Sequence, residues 1–258
     1  MILRRVIAHF KKQEWTAIAL DFLIVVVGVF VGLQVNNWNE ARADARLGAE
    51  YTVRLVSELR KDLAAAHTLL GYYDQVLVSI VEADRLLSES DADPLALVIA
   101  AYRASEFNNN PPNSATWDEI VSAGQIGLLP DATVEGGLAE YYKYQDANDA
   151  INIRLVDSPY RLIVRSLIPL PVQLVIREGC SDVLDDINVA SGFVAECRID
   201  IDPALINETA DALRASSNLR ETLRHQYSMV ASVQINNHGN VTLLERSIAA
   251  LNGTEAAK

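Results

Sequence analysis

TAIALDFLIVVVGVFVGLQV, residues 16–35, is almost wholly apolar and holds one carboxylate, Asp21. A helix of about twenty residues rises ~30 Å, the thickness of a bilayer's hydrocarbon core. The stretch predicts a membrane-spanning helix, with a tail at 1–14, the span at 15–38 and the remaining chain, 39–258, on one side of the membrane. Arg4, Arg5, Lys11 and Lys12 precede the span with Glu14 against them, whereas Arg42 and Arg46 beyond it are balanced by Asp44 and Glu50. Basic flanks stay in the cytoplasm, so the N-terminus is expected inside and the C-terminal domain outside. Trp15 and Trp38 bracket the span, and indole rings favour the headgroup level, which marks both as membrane-interface anchors. The competing reading is a cleaved signal peptide, since Ala43-Asp44-Ala45 offers a small-x-small site after a basic start. The apolar run exceeds the ~7–15 residues of a signal's apolar core, and Glu40 and Arg42 stand before the site, so a retained anchor is expected.

The formal charge of the 258-residue chain is −12. Residues 1–38 carry four basic and two acidic groups, so the other 220 hold −14. Such a surface excludes nucleic acid as a partner and disfavours lying flat on an anionic membrane. Cys180 and Cys197 are the two cysteines of the chain. In the oxidising compartment that the topology implies, they are expected to form a disulfide closing the loop 181–196, with a chain-entropy contribution of about 3 kcal/mol. With no CxxC and four scattered histidines, neither a metal site nor a cofactor is expected.

The chain reads as all-α. There is no proline before Pro94, and apolar residues recur at helical spacing from Leu47 through Tyr51, Leu55, Leu59 and Leu63 to Leu70, Val76, Ile80, Val81 and Leu87. The spanning helix is therefore expected to continue outward as a long stalk, weakened but not ended at Gly71. Asp93-Pro94 starts a second helix, and the segment from Asn108 to Ser114, with Pro111-Pro112, is a loop. Thr116 and Glu119 fit a capping box, with Gly124 as the stop. Pro130-Asp131 introduces a helix expected to reach Val164, and Val172–Ile176 permits a short strand. Asp202-Pro203 opens another helix, and a last one runs from about Leu219 to Leu251, bent at Gly239. The expected architecture is an extracytoplasmic antiparallel helical bundle on a membrane anchor.

Leu33-Gln34-Val35-Asn36-Asn37-Trp38-Asn39-Glu40, at the outer end of the span, resembles the LQxNNWNE signature of an uncharacterised family of bacterial single-pass membrane proteins. A second pattern of that family is matched by Thr116-Trp117-Asp118-Glu119-Ile120, Ser122-Ala123-Gly124, Leu128-Leu129 and Tyr141-Tyr142. The resemblance implies an anchored, helical extracytoplasmic domain of unknown function in a bacterial inner membrane. It brings no catalytic residues.

Asp21 sits ~9 Å inside the span by helix geometry, where a carboxylate costs several kcal/mol unless protonated or paired. At ~100° per residue Val25, Gly28 and Gly32 fall near its face, and Gly28 with Gly32 makes a GxxxG that lets helices approach closely. These four residues are the expected transmembrane interface, with a second copy or another integral membrane protein as partner alongside the lipid bilayer. An isolated span, with Asp21 protonated or reaching nearby water, is the plainer alternative.

Asp182, Asp185 and Asp186 lack the spacing of a calcium loop, and His67, His225 and His238 make no ligand pair. The sequons at Asn207, Asn240 and Asn252 fit chance. No GxSxG occurs, so no enzyme is expected. Three functions remain. The first is a membrane-anchored helical scaffold or accessory subunit of a membrane protein assembly, oligomerising through its transmembrane helix. The second is an extracytoplasmic ligand sensor signalling through a partner. The third is an ion-coupled motor or transport subunit using Asp21, whose layout resembles the stator subunits of proton-driven systems.

Overall fold

The computed structural model describes residues 15–131, 133 and 137–253, without the side chains of 15–18, 146, 147 and 149. The tail at 1–14 and the Trp15 indole lie outside these residues. The protein is mostly helical (78%), with one long apolar helix near its N-terminus. It divides into two compact units, Met1–Tyr51 and Thr52–Lys258.

Helix α1, Trp15–Ser88, is unbroken over 74 residues and passes through Gly71. In the first unit its side chains from 19 to 46 are all exposed. In the second unit its buried face carries Leu55 and Leu59, then Tyr72 and Tyr73, then Val76, Ile80 and Ala83, the recurrence of an amphipathic helix. Val81, expected on that face, is instead exposed. Helix α2, Pro94–Ala104, starts as read: Asp93 accepts the Leu95 N–H at 3.1 Å and Pro94 takes the first turn.

Helix α3, Ala115–Ser122, corrects the capping box. Its N-cap is Ser114, and the Thr116 hydroxyl bonds to Glu58 rather than to its own helix. Gly124 does stop the helix, with φ at +67°, and the Gln125 N–H reaches back to the Ile120 carbonyl at 2.9 Å. After a 3₁₀ turn at Ile126–Leu128, α4 covers Leu138–Val156 and α5 Pro159–Leu167. The single helix expected to reach Val164 is therefore broken. Pro159 lacks the N–H that a helix interior needs and disfavours helical geometry at Ser158, which caps α5 by accepting from Arg161 N at 3.2 Å.

Val172–Ile176 lies in a helix, α6, Leu170–Gly179. Val172 and Ile176 are buried while Leu174 between them is exposed, which fits a helix; in a strand all three would share one face. The sheet that the all-α reading left out lies within the cysteine loop. Strand β1, Asp182–Leu184, pairs antiparallel with β2, Ala190–Phe193, with a bulge after Val183. Asp185 shapes the turn by accepting the Ile187 and Val189 N–H groups at 3.0 and 2.8 Å, and Asn188 takes φ 65°. These backbone bonds, together with Thr68, hold the Asp185 carboxyl below its ordinary range. Cys180 and Cys197 are disulfide-bonded across the hairpin's base, Cα atoms 4.7 Å apart. Helices α7, Pro203–Ala215, and α8, Leu219–Gly253, complete the chain, and α8 continues through Gly239.

Helix α8 packs on α4 and α5, α7 on α2 and α5, and α2 on α5. The core they share with α1 includes Tyr72, Leu97, Tyr160, Ile168 and Leu223. Two buried phenols are satisfied by carbonyls: Tyr73 donates to Asn108 O and Tyr160 to Ala101 O, at 2.5 and 3.1 Å. The hairpin is held to α1 by polar groups. Thr68 donates to Asp185 at 2.8 Å, and the Gln75 amide spans β2, accepting Phe193 N–H at 2.8 Å and donating to Ser191 O at 3.5 Å. Gly192 lies beneath this amide, where a Cβ would overlap the Gln75 side chain.

Candidate functional site

Three polar residues on α1, four apart, place α3 and the loop before it. Arg54 pairs with Glu119 at 2.6 Å. Glu58 accepts the Thr116 hydroxyl at 2.6 Å and its backbone N–H at 3.3 Å. Asp62 accepts the Asn113 N–H at 3.1 and 3.3 Å. As the numbers rise along α1 they fall along the partner segment, so the two run in opposite directions. Residues at i, i+4 and i+8 share one helix face, which is why a single stripe holds all three anchors.

Asp62 is the buried member, 7% exposed. Its second donor is the Tyr141 hydroxyl, at 3.1 Å. Burial pushes the Asp62 carboxyl up to about 6, against the pull of the Asn113 N–H and the Tyr141 hydroxyl; Glu58 adds a further upward push and Lys61 a downward one. Tyr141 in turn is held well above its ordinary range by burial and by the Asp62 charge. Next to it, Tyr142 stacks on Trp117 with ring centres 5.0 Å apart and planes 10° from parallel.

Two spaces adjoin this junction. A small cavity of about 30 Å³ lies among Asp62, Tyr141, Gln145, Asn152, Asn237 and Asn240. Such a volume accepts water, and its walls combine amides and the Asp62 carboxylate with apolar side chains, among them Ala65, Leu69 and Leu244. Gln145 and Asn240 exchange reciprocal amide bonds there, and Asn152 donates to Asn109 at 3.0 Å. The Asn237 Nδ2 is buried without a partner among the described residues. On the outer side an open groove of about 470 Å³ runs between Pro111, Pro112, Ser114, Trp117, Asp118, Tyr142 and Lys143. The arrangement sets a carboxyl with a raised pKa beside an aromatic and polar wall. Neither lining contains a histidine or a thiol among the described residues, and the Ser114 hydroxyl donates to Asp118 at 2.7 Å at the edge of the groove.

The second family-like pattern thus converges in space: Thr116, Trp117, Tyr141 and Tyr142 meet at this junction, and Ile120 is fully buried nearby in α3. Its partners Glu58 and Asp62 were missed. The available signal was a carboxylate at 62, three residues after Leu59, on a helix face otherwise occupied by Leu55, Leu59 and Leu69.

The residues expected at the transmembrane interface lie on the exposed part of α1. Val25, Gly28 and Gly32 each lie within about 40° of Asp21 around the helix, and nothing lies within 4 Å of a Cβ built on either glycine. Trp38 is exposed, with the Arg42 guanidinium 5.6 Å from its ring centre.

No curated protein and no solved structure matches the chain. One family does match, over residues 21–192, a range that takes in the apolar helix, the Leu33–Glu40 segment, the Asp62 junction and most of the hairpin. At about two thirds of its length, this places the chain in DUF6090, a family of unknown function.

Proposed function

We propose that this protein is a membrane-anchored helical scaffold or accessory subunit of a membrane protein assembly, inserted in a bacterial inner membrane with residues 1–14 cytoplasmic and 39–258 periplasmic. It associates with a second copy, or with another integral membrane protein, through Asp21, Val25, Gly28 and Gly32. The observation that carries the reading is the exposed apolar surface of α1 over residues 19–35, which continues without a break into a helix whose other half is core. An apolar surface of that length calls for lipid or protein around it, and a carboxylate within it calls for a polar partner. The basic residues before it support the orientation.

Two measurements test this. A reporter active only in the cytoplasm, fused after Lys258, is expected to stay silent; a strong signal overturns the orientation. In-membrane crosslinking and co-purification are expected to lose partners in Gly28→Leu and Gly32→Leu. Asp21→Asn, which keeps the size and removes the charge, separates packing from ionisation: a complex that survives intact but inactive favours ion coupling. If all three variants behave as wild type, the helix is an anchor only. The groove beside Trp117 favours the ligand-sensor reading, which gains ground if a ligand protects that groove in the wild type.

A further inference from the structure

Arg103, Glu106, Arg161, Arg165, Arg177 and Asp182 gather where the end of α2, α5, the end of α6 and β1 approach one another. Arg165 pairs with Glu106 at 2.8 Å and Arg161 with the same carboxylate at 3.5 Å. Asp182 lies in the field of Glu106, Arg177, Arg165 and Arg103. Four guanidinium groups therefore face two carboxylates, within a domain whose net charge is −14 over residues 39–258.

The guanidinium planes are already fixed. Arg165 lies 3.4 Å from the centre of the Tyr102 ring, Arg161 5.0 Å from that of Phe107 and Arg103 5.0 Å from that of Phe193. Stacking holds a guanidinium by its face and leaves its N–H edge for a hydrogen-bond acceptor. Some of those edges are used: Arg161 donates to Ser105 O at 2.6 Å, Arg165 Nε to Ser105 Oγ at 2.9 Å and Arg103 to Val194 O at 2.7 Å. Others are not. Arg103 Nε is buried without a hydrogen-bond partner, and Arg165 Nη2, though ion-paired with Glu106, makes no aligned hydrogen bond. Burial holds the Arg103 and Arg161 guanidiniums below their ordinary range, Arg161 also through repulsion by Arg165. Burial and Glu106 push the Asp182 carboxyl up to about 6, and even with both carboxylates ionised the four guanidiniums are in excess. Arg177 is exposed and opens the cluster to solvent.

We propose that this cluster is a binding site for a small oxyanion, a phosphate or a carboxylate, entering at Arg177 and held by Arg177, Arg165 and Arg103. These are the three guanidiniums whose charge reaches Asp182, and Arg103 and Arg165 each keep an N–H without an aligned acceptor. Fixed guanidinium forks recognise both chemistries through charge-assisted, often bidentate hydrogen bonds. The site goes beyond the scaffold reading, and its failure leaves the anchoring and orientation untouched.

The full chain in a neutral detergent is the material for the test. Thermal unfolding is followed while sodium phosphate, or separately sodium acetate, is titrated against sodium chloride of equal ionic strength. One of the two oxyanions is expected to raise the midpoint saturably beyond chloride, and whichever does so identifies the preferred chemistry. Arg177→Gln is exposed and is expected to unfold as wild type in chloride while weakening the oxyanion's Kd about tenfold. Asp182→Asn removes the competing carboxylate and is expected to tighten binding. If Asp182→Asn does not fold, calorimetric titration of wild type against Arg177→Gln decides. The proposal is overturned if neither oxyanion shifts the midpoint beyond chloride, or if the shift persists with unchanged Kd in Arg177→Gln.

Discussion

Asp21 and Asp62 stand on the same helix among apolar neighbours, in two different situations. Asp62 is buried and receives the Asn113 N–H and the Tyr141 hydroxyl. Asp21 lies in the stretch of α1 whose side chains are all exposed. The fold of the second unit supplies donors to the first of these carboxylates; among the described residues, the second stands on an exposed face. A helix can thus be one continuous element and still belong to two environments, one specified by its own chain and one left to its surroundings.

The contrast is tested most strongly at apolar positions. Leu59 is fully buried, and Leu59→Ala is expected to destabilise the second unit by about 2–5 kcal/mol. Val27→Ala, on the exposed stretch, is expected to leave the same unfolding transition unchanged. Denaturant titration of the full chain in detergent, followed by circular dichroism, compares the two; equal effects would erase the distinction. Next in size is the Cys180–Cys197 disulfide. Replacing both cysteines by serine is expected to cost about 3 kcal/mol, read by the same titration in the absence of reductant. A loss well under 1 kcal/mol would mean that the hairpin is held by its contacts with α1 alone.

Asp62→Asn is expected to act in the opposite direction. A carboxyl whose folded pKa is about 6, above its ordinary 3.8, favours the fold fully below about pH 4 and loses that contribution as the pH rises through 6. At pH 7 the ionised Asp62 therefore weighs against the fold, and asparagine, whose amide oxygen accepts from Asn113 while its NH2 donates to the Tyr141 oxygen, is expected to stabilise it by about 1–3 kcal/mol. The gain should shrink toward zero on acidification to pH 4. A variant that is less stable than wild type at every pH would show that the charge is needed where it sits. The smallest effect belongs to Arg54 and Glu119, both partly exposed, whose coupling in a double-mutant cycle is expected to be about 0.2–1 kcal/mol. Coupling above 2 kcal/mol would make this pair a principal anchor of α3.

Much of the fold was legible from apolar spacing and caps. The absence of proline before Pro94 foretold α1, and Asp93-Pro94 and Asp202-Pro203 foretold two helix starts. The misreadings have physical causes. Pro159 was passed over because the apolar pattern continues across it, from Leu155 to Val164, while the backbone does not. The hairpin was invisible because its strands have three and four residues, too few for alternation to register. Thr116 and Glu119 have the spacing of a cap, but Thr116 found a better acceptor in Glu58, and nothing local to α3 records a carboxylate 58 residues upstream. The arginine cluster was missed for the same reason. Arg161 and Arg165 are a visible i,i+4 pair, whereas their approach to Glu106 and Asp182 is a property of tertiary packing.

Gln75 has one further consequence. A strand at a sheet edge offers unpaired N–H and C=O groups to any passing chain, a common start of edge-to-edge aggregation. On β2 those groups are Ser191 O and Phe193 N, and both are occupied by the Gln75 amide. The glutamine takes the place of a third strand, and Gly192 lets it lie flat against the backbone it protects. While the hairpin stays docked on α1, this two-stranded sheet has no ladder to lend along β2. If it is released, by reduction of Cys180–Cys197 or by loss of the Gln75 amide, that edge becomes the first place where one molecule can recruit another.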